Sequence, residues 1–547
     1  MKKFYTIICV SVMCMGLAAC GGDDTSQDDG SGMMYNVSLL HNPKSLDPQY
    51  ASDESANTVI ANLYSGLMKF DSSGNVVCCN AESYDVSDDE TVYTFKLRKD
   101  NYWFFDENDD DQVDDDEYFP VTAQDYVFAL KRILSPEMQS PYAKEFSCIK
   151  GGEACINGSA SADSVGVRAK DDYTLEVQLD YPSADFLALM ATTAASPCNE
   201  EFFLSTRGRY GLDDDSVMSN GAFFVRQWFY DPYGKNNILY MKKNYANSYD
   251  DDKIYPSFLS FTIEESASDI RNMFKDAEID CFKTYNKNSF EKKKYTIDAQ
   301  QSMTLGLVFN MDDKTASNIN FRKSLVYGLD RKSLNEQTDG DVTAAYGIIP
   351  PAVKLLGRSY RELSSDIAFD VHDAEKAVQC CTDAKSELNA ESFGTIKMIV
   401  PSGSVDSSYL HILSRDWQDT LGFYVSIEEL SQDDYDACME SGEFQIALYP
   451  IKGRYNSGVS VLEQLADTSF IHLSDSAKSA VKELRRCADS SDLVDEFTNA
   501  EKNIIEELSY IPVFYKNCYL VAESENQDIV YDSFSGSVDF RIAKHFD

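Results

Sequence analysis

Basic residues are scarce in this chain. Lys and Arg number 49 against 91 Asp and Glu, a formal net charge of -42, and a surface of that sign repels phosphate backbones and anionic lipid heads. Nucleic acid is therefore not among the expected partners. The five histidines (His41, His372, His411, His472, His545) are scattered, none three or four residues from another, so no single helix face presents a histidine pair for a metal or for proton transfer. There is no CxxC or His/Cys zinc spacing, no G-x-x-x-x-G-K-[ST] phosphate loop, no G-x-S-x-G elbow and no internal repeat. Nucleotide and esterase chemistry lose their usual signals. After the N-terminus, no stretch approaches a continuous apolar run of membrane length, which places the remainder outside the bilayer. What the chain does have is size: 547 residues, 43% hydrophobic, with 33 Tyr and 31 Phe, enough for about three packed units around substantial cores.

The first residues read as a secretory signal, with Lys2 and Lys3 followed by the mostly apolar run 4–17. It ends Leu17-Ala18-Ala19-Cys20, similar to the bacterial lipobox, which makes 1–19 a signal peptide and Cys20 a lipid-bearing first residue. The other reading is a plain signal cut near Ala19. Residues 21–33 (GGDDTSQDDGSGM) cannot bury enough apolar surface to order themselves and are expected to form a solvated linker. Of 14 Cys, eleven remain once Cys9, Cys14 and Cys20 are set aside, an odd number that leaves at least one unpaired. Cys148 and Cys155 are spaced to close a small loop, whereas the adjacent pairs Cys78/Cys79 and Cys380/Cys381 cannot bond within themselves without strain.

Periodicity alternates between the two regular structures. Residues 35–40 read as a strand, and 55–70 as a helix carrying Val59, Ile60, Leu63 and Leu67 on one stripe. Val92–Leu97 and 174–179 alternate with period two, and Thr122 caps a helix bearing Tyr126, Val127, Leu130 and Ile133. The class is α/β or α+β.

Segments in fixed order then resemble one family. Ser45-Leu46-Asp47-Pro48, Leu63-Tyr64-Ser65-Gly66-Leu67, 88–98 (DDETVYTFKLR), 121–126 (VTAQDY), Asn220-Gly221-Ala222-Phe223, 321–325 (FRKSL) with Asp330-Arg331, and Ile349-Pro350-Pro351 are together similar to the oligopeptide/dipeptide-type solute-binding proteins of ABC importers, extracytoplasmic family 5. The resemblance implies an α/β, two-lobed periplasmic-binding-protein-like fold with an extra inserted domain. It assigns 34–57, 190–281 and 511–547 to lobe one, 58–189 to the extra domain with an acidic loop, and 282–510 to lobe two. It also implies no covalent chemistry. A lipid-anchored monomer on the extracytoplasmic face of the bacterial cell membrane would close over a peptide and deliver it to the permease subunits. In peptide-binding relatives the ligand lies extended, held by main-chain hydrogen bonds while wet pockets tolerate its side chains. Ligand contacts are expected from Asn42, Asn220, Gly221, Phe223, Tyr449, Arg454, Tyr455 and Asn456. The family stretch that offers an acid to the ligand's free amine corresponds here to 453–458 (GRYNSG), with Arg454 in the acid's place. A guanidinium there repels an ammonium and favours a carboxylate or another acceptor; alternatively, Arg454 is a surface charge.

One acidic stretch is separate from that pattern. Residues 106–117 (DENDDDQVDDDE) set Asp106, Asn108, Asp110, Gln112, Asp114 and Glu117 at positions 1, 3, 5, 7, 9 and 12 of a twelve-residue calcium loop, enough oxygens to clamp one structural Ca²⁺. Asp111 replaces the usual glycine at position 6. The other reading is a solvated acidic hairpin tip. Rival functions are the same fold binding a non-peptide solute, a secreted carboxylate-based hydrolase, and a signalling or adhesion ectodomain without an importer.

Overall fold

The computed structural model describes residues 33–108, 114, 116–234, 236–247, 254–286, 294–338, 340–364, 372–488 and 492–545. Among them, no helix is long and apolar enough to cross a membrane.

Alternating burial makes Met34–Leu39 a strand, and it pairs in parallel with Phe258–Ile263 and Cys281–Thr284. These strands belong to an eleven-stranded mixed sheet running from Phe223–Phe229 at one end to Tyr424–Leu430 at the other. Two strands hold its halves together, Tyr295–Phe309 of 15 residues and Tyr510–Glu523 of 14, and they pair antiparallel with each other along most of their length. Residues 519–522 of the second strand pair with Cys281–Thr284, a strand that also pairs with Met34–Leu39, so that 282–284, expected in lobe two, lies on the lobe-one side. Farther along the first strand, residues 303–309 pair with Ile446–Lys452 on the lobe-two side. Between these regions the ladder slips at Gln300/Met303, and it slips again inside the second at Leu305/Gly306. Such bulges disrupt a ladder locally, bend the strand and increase its twist. Ser302 donates to Cys518 Sγ across the slip at 3.3 Å.

The inserted segment adds an antiparallel four-stranded sheet (Ala81–Val86, Val92–Leu97, Thr174–Gln178, Val167–Asp171) covered by the helix Ala123–Leu134. That helix starts where Thr122 was expected to cap it, and the Asp125 carboxylate accepts the Thr122 N–H at 2.7 Å. The inserted segment and lobe one share one continuous hydrophobic core, whereas lobe two packs around a second. Asp47 of Ser45-Leu46-Asp47-Pro48 fastens the two parts of the first body through a buried pair with Arg132, Oδ2 to Nη2 at 2.6 Å.

The expected helix over 55–70 is shorter, Glu54–Leu63. Val59, Ile60 and Leu63 pack inward as the periodicity implied, each buried side chain contributing about 1.5–3 kcal/mol. Leu67 is buried in the following turn instead. The helix stops because the 219–221 segment takes over its last carbonyl, Leu63 O, from Gly221 N–H at 2.9 Å and from Ser219 Oγ at 2.8 Å. The eleven cysteines of the described residues, Cys148 and Cys155 included, are free thiols.

Candidate functional site

A cavity of about 880 Å³ lies between the lobes. Its size falls toward the upper end of the roughly 300–1,000 Å³ typical of small-ligand sites. Lobe one supplies the first turn of helix Glu54–Leu63 and part of the 530–541 segment, the inserted domain supplies 68–74, Tyr142 and Glu145, and lobe two supplies 351–354 and 452–456. The long strands contribute 298–301 and Asn517 to its wall.

Glu54 stands at the first helical position, where the N-terminal dipole favours a carboxylate. Its Oε1 accepts from Lys452 Nζ of lobe two and from Tyr285 Oη, both at 2.9 Å, and its Oε2 lies 3.7 Å from Lys283 Nζ. Burial alone raises the Glu54 carboxyl, but the two ammonium groups outweigh it and hold the group down at about 2. Glu54 is thus ionised and ties lobe one to lobe two. Asp298 and Asp532 also face the cavity, and burial raises both carboxyls; Asp298 accepts from Gln300 Nε2 at 3.0 Å, and Asp532 accepts from Ser535 Oγ at 2.6 Å.

A second set of cross-lobe contacts lies at the inserted domain. Arg454 Nη1 donates to Glu145 Oε1 at 3.0 Å and to the Pro141 carbonyl. Tyr455, buried in the core of the first body although it comes from lobe two, donates its hydroxyl to Asp185. Arg485 pairs with Glu463 and also donates to the Glu145 carbonyl at 2.8 Å. The main chain crosses as well, from Ala184 N–H to Cys487 O at 2.9 Å. With this many contacts bridging its rim, the cleft is in a closed arrangement.

Of the eight residues expected against the ligand, Arg454, Tyr455 and Asn456 line this cavity. Asn456 Oδ1 accepts the Lys354 N–H at 2.9 Å. The other five are placed elsewhere. Asn220 is fully buried, with its side chain engaged by Ser65 N–H at 3.1 Å, Ser65 O at 2.9 Å and Asn101 Oδ1 at 2.9 Å. Gly221 sits against the backbone of Leu63 and Tyr64, and Phe223 is core. Asn42 accepts from Trp228 Nε1 at 2.8 Å, and Tyr449 stacks edge-on against Phe470. These positions are scaffold because their polar groups and faces are satisfied internally. Glu54, Glu145, Lys283 and Lys452 were missed by the sequence reading. Only the acidic start of helix Glu54–Leu63 gave a local signal for any of them.

In the acidic loop, Glu117 Oε1 accepts the N–H groups of Glu107 at 3.0 Å and Asn108 at 3.3 Å, and its Oε2 accepts that of Asp114 at 3.3 Å. Asn108 Nδ2 donates to Asp114 Oδ2 at 3.1 Å, and Asp106 borders a smaller cavity. Asp110 and Gln112 lie outside the described residues, as does Cys20. Among the described residues, no group of three or more His, Cys, Asp or Glu is arranged to hold a metal.

Comparison with known proteins places this architecture. The family model for bacterial extracellular solute-binding proteins, family 5 Middle, matches residues 75–471. The chain is 25% identical to the oligopeptide-binding protein OppA of Bacillus subtilis, covering 99% of each. It is 24% identical to the probable deoxycholate-binding periplasmic protein YgiS of Escherichia coli, over 87% of this chain and 86% of that one. Among solved structures, Listeria monocytogenes OppA bound to peptide superposes with a TM-score of 0.69 at 21% identity, covering 94% of this chain and 99% of that one.

Proposed function

The chain belongs to the bacterial extracellular solute-binding proteins of family 5, a binder and not an enzyme, and from that premise we propose that it captures peptides between its two lobes for an ABC importer. In this reading a lipid on Cys20 holds it at the extracytoplasmic face of a bacterial membrane, and the closed, loaded form is what the permease receives.

The observation that carries the proposal is the cavity itself, walled by both lobes and bridged by Glu54–Lys452 and Arg454–Glu145. A ligand buried there contacts both halves at once, so binding and closure are coupled. Ser72 and Ser73, exposed on the wall, give it neutral polar groups suited to a peptide backbone and its bridging waters. In this reading the crossing strands bend at the bulge at 300–303 as the lobes open.

Native mass spectrometry of the chain purified without unfolding tests this reading. The expected spectrum shows a heterogeneous set of added masses that match short peptides and are released on denaturation. A single non-peptide mass, such as an amphipathic acid, or a protein that no added peptide pool loads, would move the function to another solute.

A further inference from the structure

Going beyond the peptide reading, and whichever solute the cleft holds, we propose that lobe closure takes up protons. Glu145, assisted by Asp185, forms an acid-sensitive latch between the inserted domain and lobe two, so that mild acid favours the closed cleft and neutral pH favours its opening.

The latch is built from three carboxylates and two guanidiniums. Glu145, at the start of the short 3₁₀ turn Glu145–Cys148, and Asp185 belong to the inserted domain, whereas Arg454, Glu463 and Arg485 belong to lobe two. Glu145 Oε1 takes Arg454 Nη1 at 3.0 Å, and the Glu145 carbonyl takes Arg485 Nη1 at 2.8 Å. Arg485 is itself committed to Glu463 in a pair buried on both sides. Asp185 accepts the hydroxyl of buried Tyr455 and lies against Ser457, both from lobe two. One negative charge is left over in the junction, and one oxygen with it: Glu145 is 8% exposed, and its Oε2 is buried without accepting a hydrogen bond.

Holding an ionised carboxylate in that position is costly. A proton removes the surplus charge and leaves a neutral carboxyl, which is far cheaper to keep from water. Burial accordingly raises the Glu145 carboxyl against the pull of Arg454, and it raises that of Asp185 against the pull of the Tyr455 hydroxyl. Of the other groups nearby, burial pushes the Cys148 thiol up to about 12 and raises the Tyr142 hydroxyl, both far above the carboxylate range. Lys144 and Asp467 form a further cross-lobe pair, but both are exposed and water screens them. Opening withdraws Arg454, Arg485 and Tyr455 with lobe two, and the two carboxyls return to water and to ordinary values of about 4. Because the closed-form values are the higher, the proton-linked contribution to closure is fully present below the open-form values and is lost as pH rises through the closed-form ones.

Affinities for a mixed-sequence tetrapeptide pool free of Asp, Glu and His, whose own groups change little between pH 7 and pH 5, are measured at those two values. The proteins are the wild type, Glu145→Gln and Asp185→Asn, with thermal melting to verify folding. The wild type is expected to bind about threefold or more tighter at pH 5, one unit of difference between closed and open forms being worth about tenfold. Glu145→Gln holds a neutral side chain at every pH and should lose most of that gain, and Asp185→Asn part of it. A wild type that gains nothing at pH 5 would overturn the proposal. So would an undiminished gain in Glu145→Gln, or in Asp185→Asn should the first variant not fold, because the proton would then go to another group such as Asp298 or Asp532. A wild type that binds the pool at neither pH would overturn the peptide reading alone. The radius of gyration of the peptide-free protein then decides the proposal: smaller at pH 5 in the wild type but not in Glu145→Gln supports it, and equal radii in the wild type overturn it.

Discussion

Replacing Glu501 by Ala is expected to destabilise the protein by about 3–5 kcal/mol, read as a large fall in the unfolding midpoint of lobe two. Glu501 is fully buried on the helix Leu493–Glu506. Its Oε1 accepts the N–H groups of Ile348 and Ile349, the latter at 2.9 Å, and pairs with Arg361, while Oε2 accepts the Tyr360 hydroxyl at 3.1 Å. Truncation strands a largely buried guanidinium and two backbone donors at once, and the cost of unpaired buried polar groups exceeds the net value of the bonds that satisfied them. The consequence reaches the cleft, because the loop that Glu501 anchors runs on into Pro351 and Ala352 of the cavity wall. Glu501→Gln, which keeps the shape and much of the hydrogen bonding, should lose markedly less. Equal stability of the Ala variant and the wild type in chemical denaturation would contradict the anchoring role.

Gly221→Ala is expected to cost about 1–3 kcal/mol or more, through overpacking rather than lost contact. A Cβ at Gly221 would lie 2.6 Å from Leu63 C, 2.7 Å from Leu63 O and 2.8 Å from Tyr64 N. These are backbone atoms, so no rotamer change relieves the clash, and the Gly221 N–H bond to Leu63 O that ends helix Glu54–Leu63 must lengthen. Because the same helix carries Glu54 at its other end, peptide affinity should fall along with stability. Gly66→Ala is the control: its Cβ would meet nothing nearer than 3.4 Å, and it should lose far less on both readouts. A mild Gly221→Ala with a severe Gly66→Ala would refute the steric argument.

These two sites show which features the sequence made legible. The ordered segments that resemble the family prove to be mostly scaffold. Asn220 and Gly221 hold Leu63 and Ser65, Asp47 pairs with Arg132, Ile349 rests on Glu501, and Arg331 is buried on the carbonyls of Ala345 and Pro512. Local devices of this kind leave local patterns, and for that reason the two-lobed fold could be read and Arg454, Tyr455 and Asn456 are among the residues that line the cavity. Asn220, Gly221 and Phe223, expected against the ligand from their recognisable segment, do not line the cavity. The charged frame of the cleft left no pattern because its members meet only in space. Arg454 and Glu145 are 309 residues apart, and Lys452 and Glu54 are 398 apart. Pairing across such distances depends on the fold of both lobes, which periodicity and spacing do not encode.

The central claim is that this chain closes over a peptide, and small-angle X-ray scattering on the ligand-stripped protein, before and after saturation with the tetrapeptide pool, tests it most directly. The account predicts a smaller radius of gyration when peptide is bound, with a loaded curve matching that calculated from the closed arrangement described here. Peptide binding confirmed by native mass with no change in the radius of gyration would contradict capture by lobe closure.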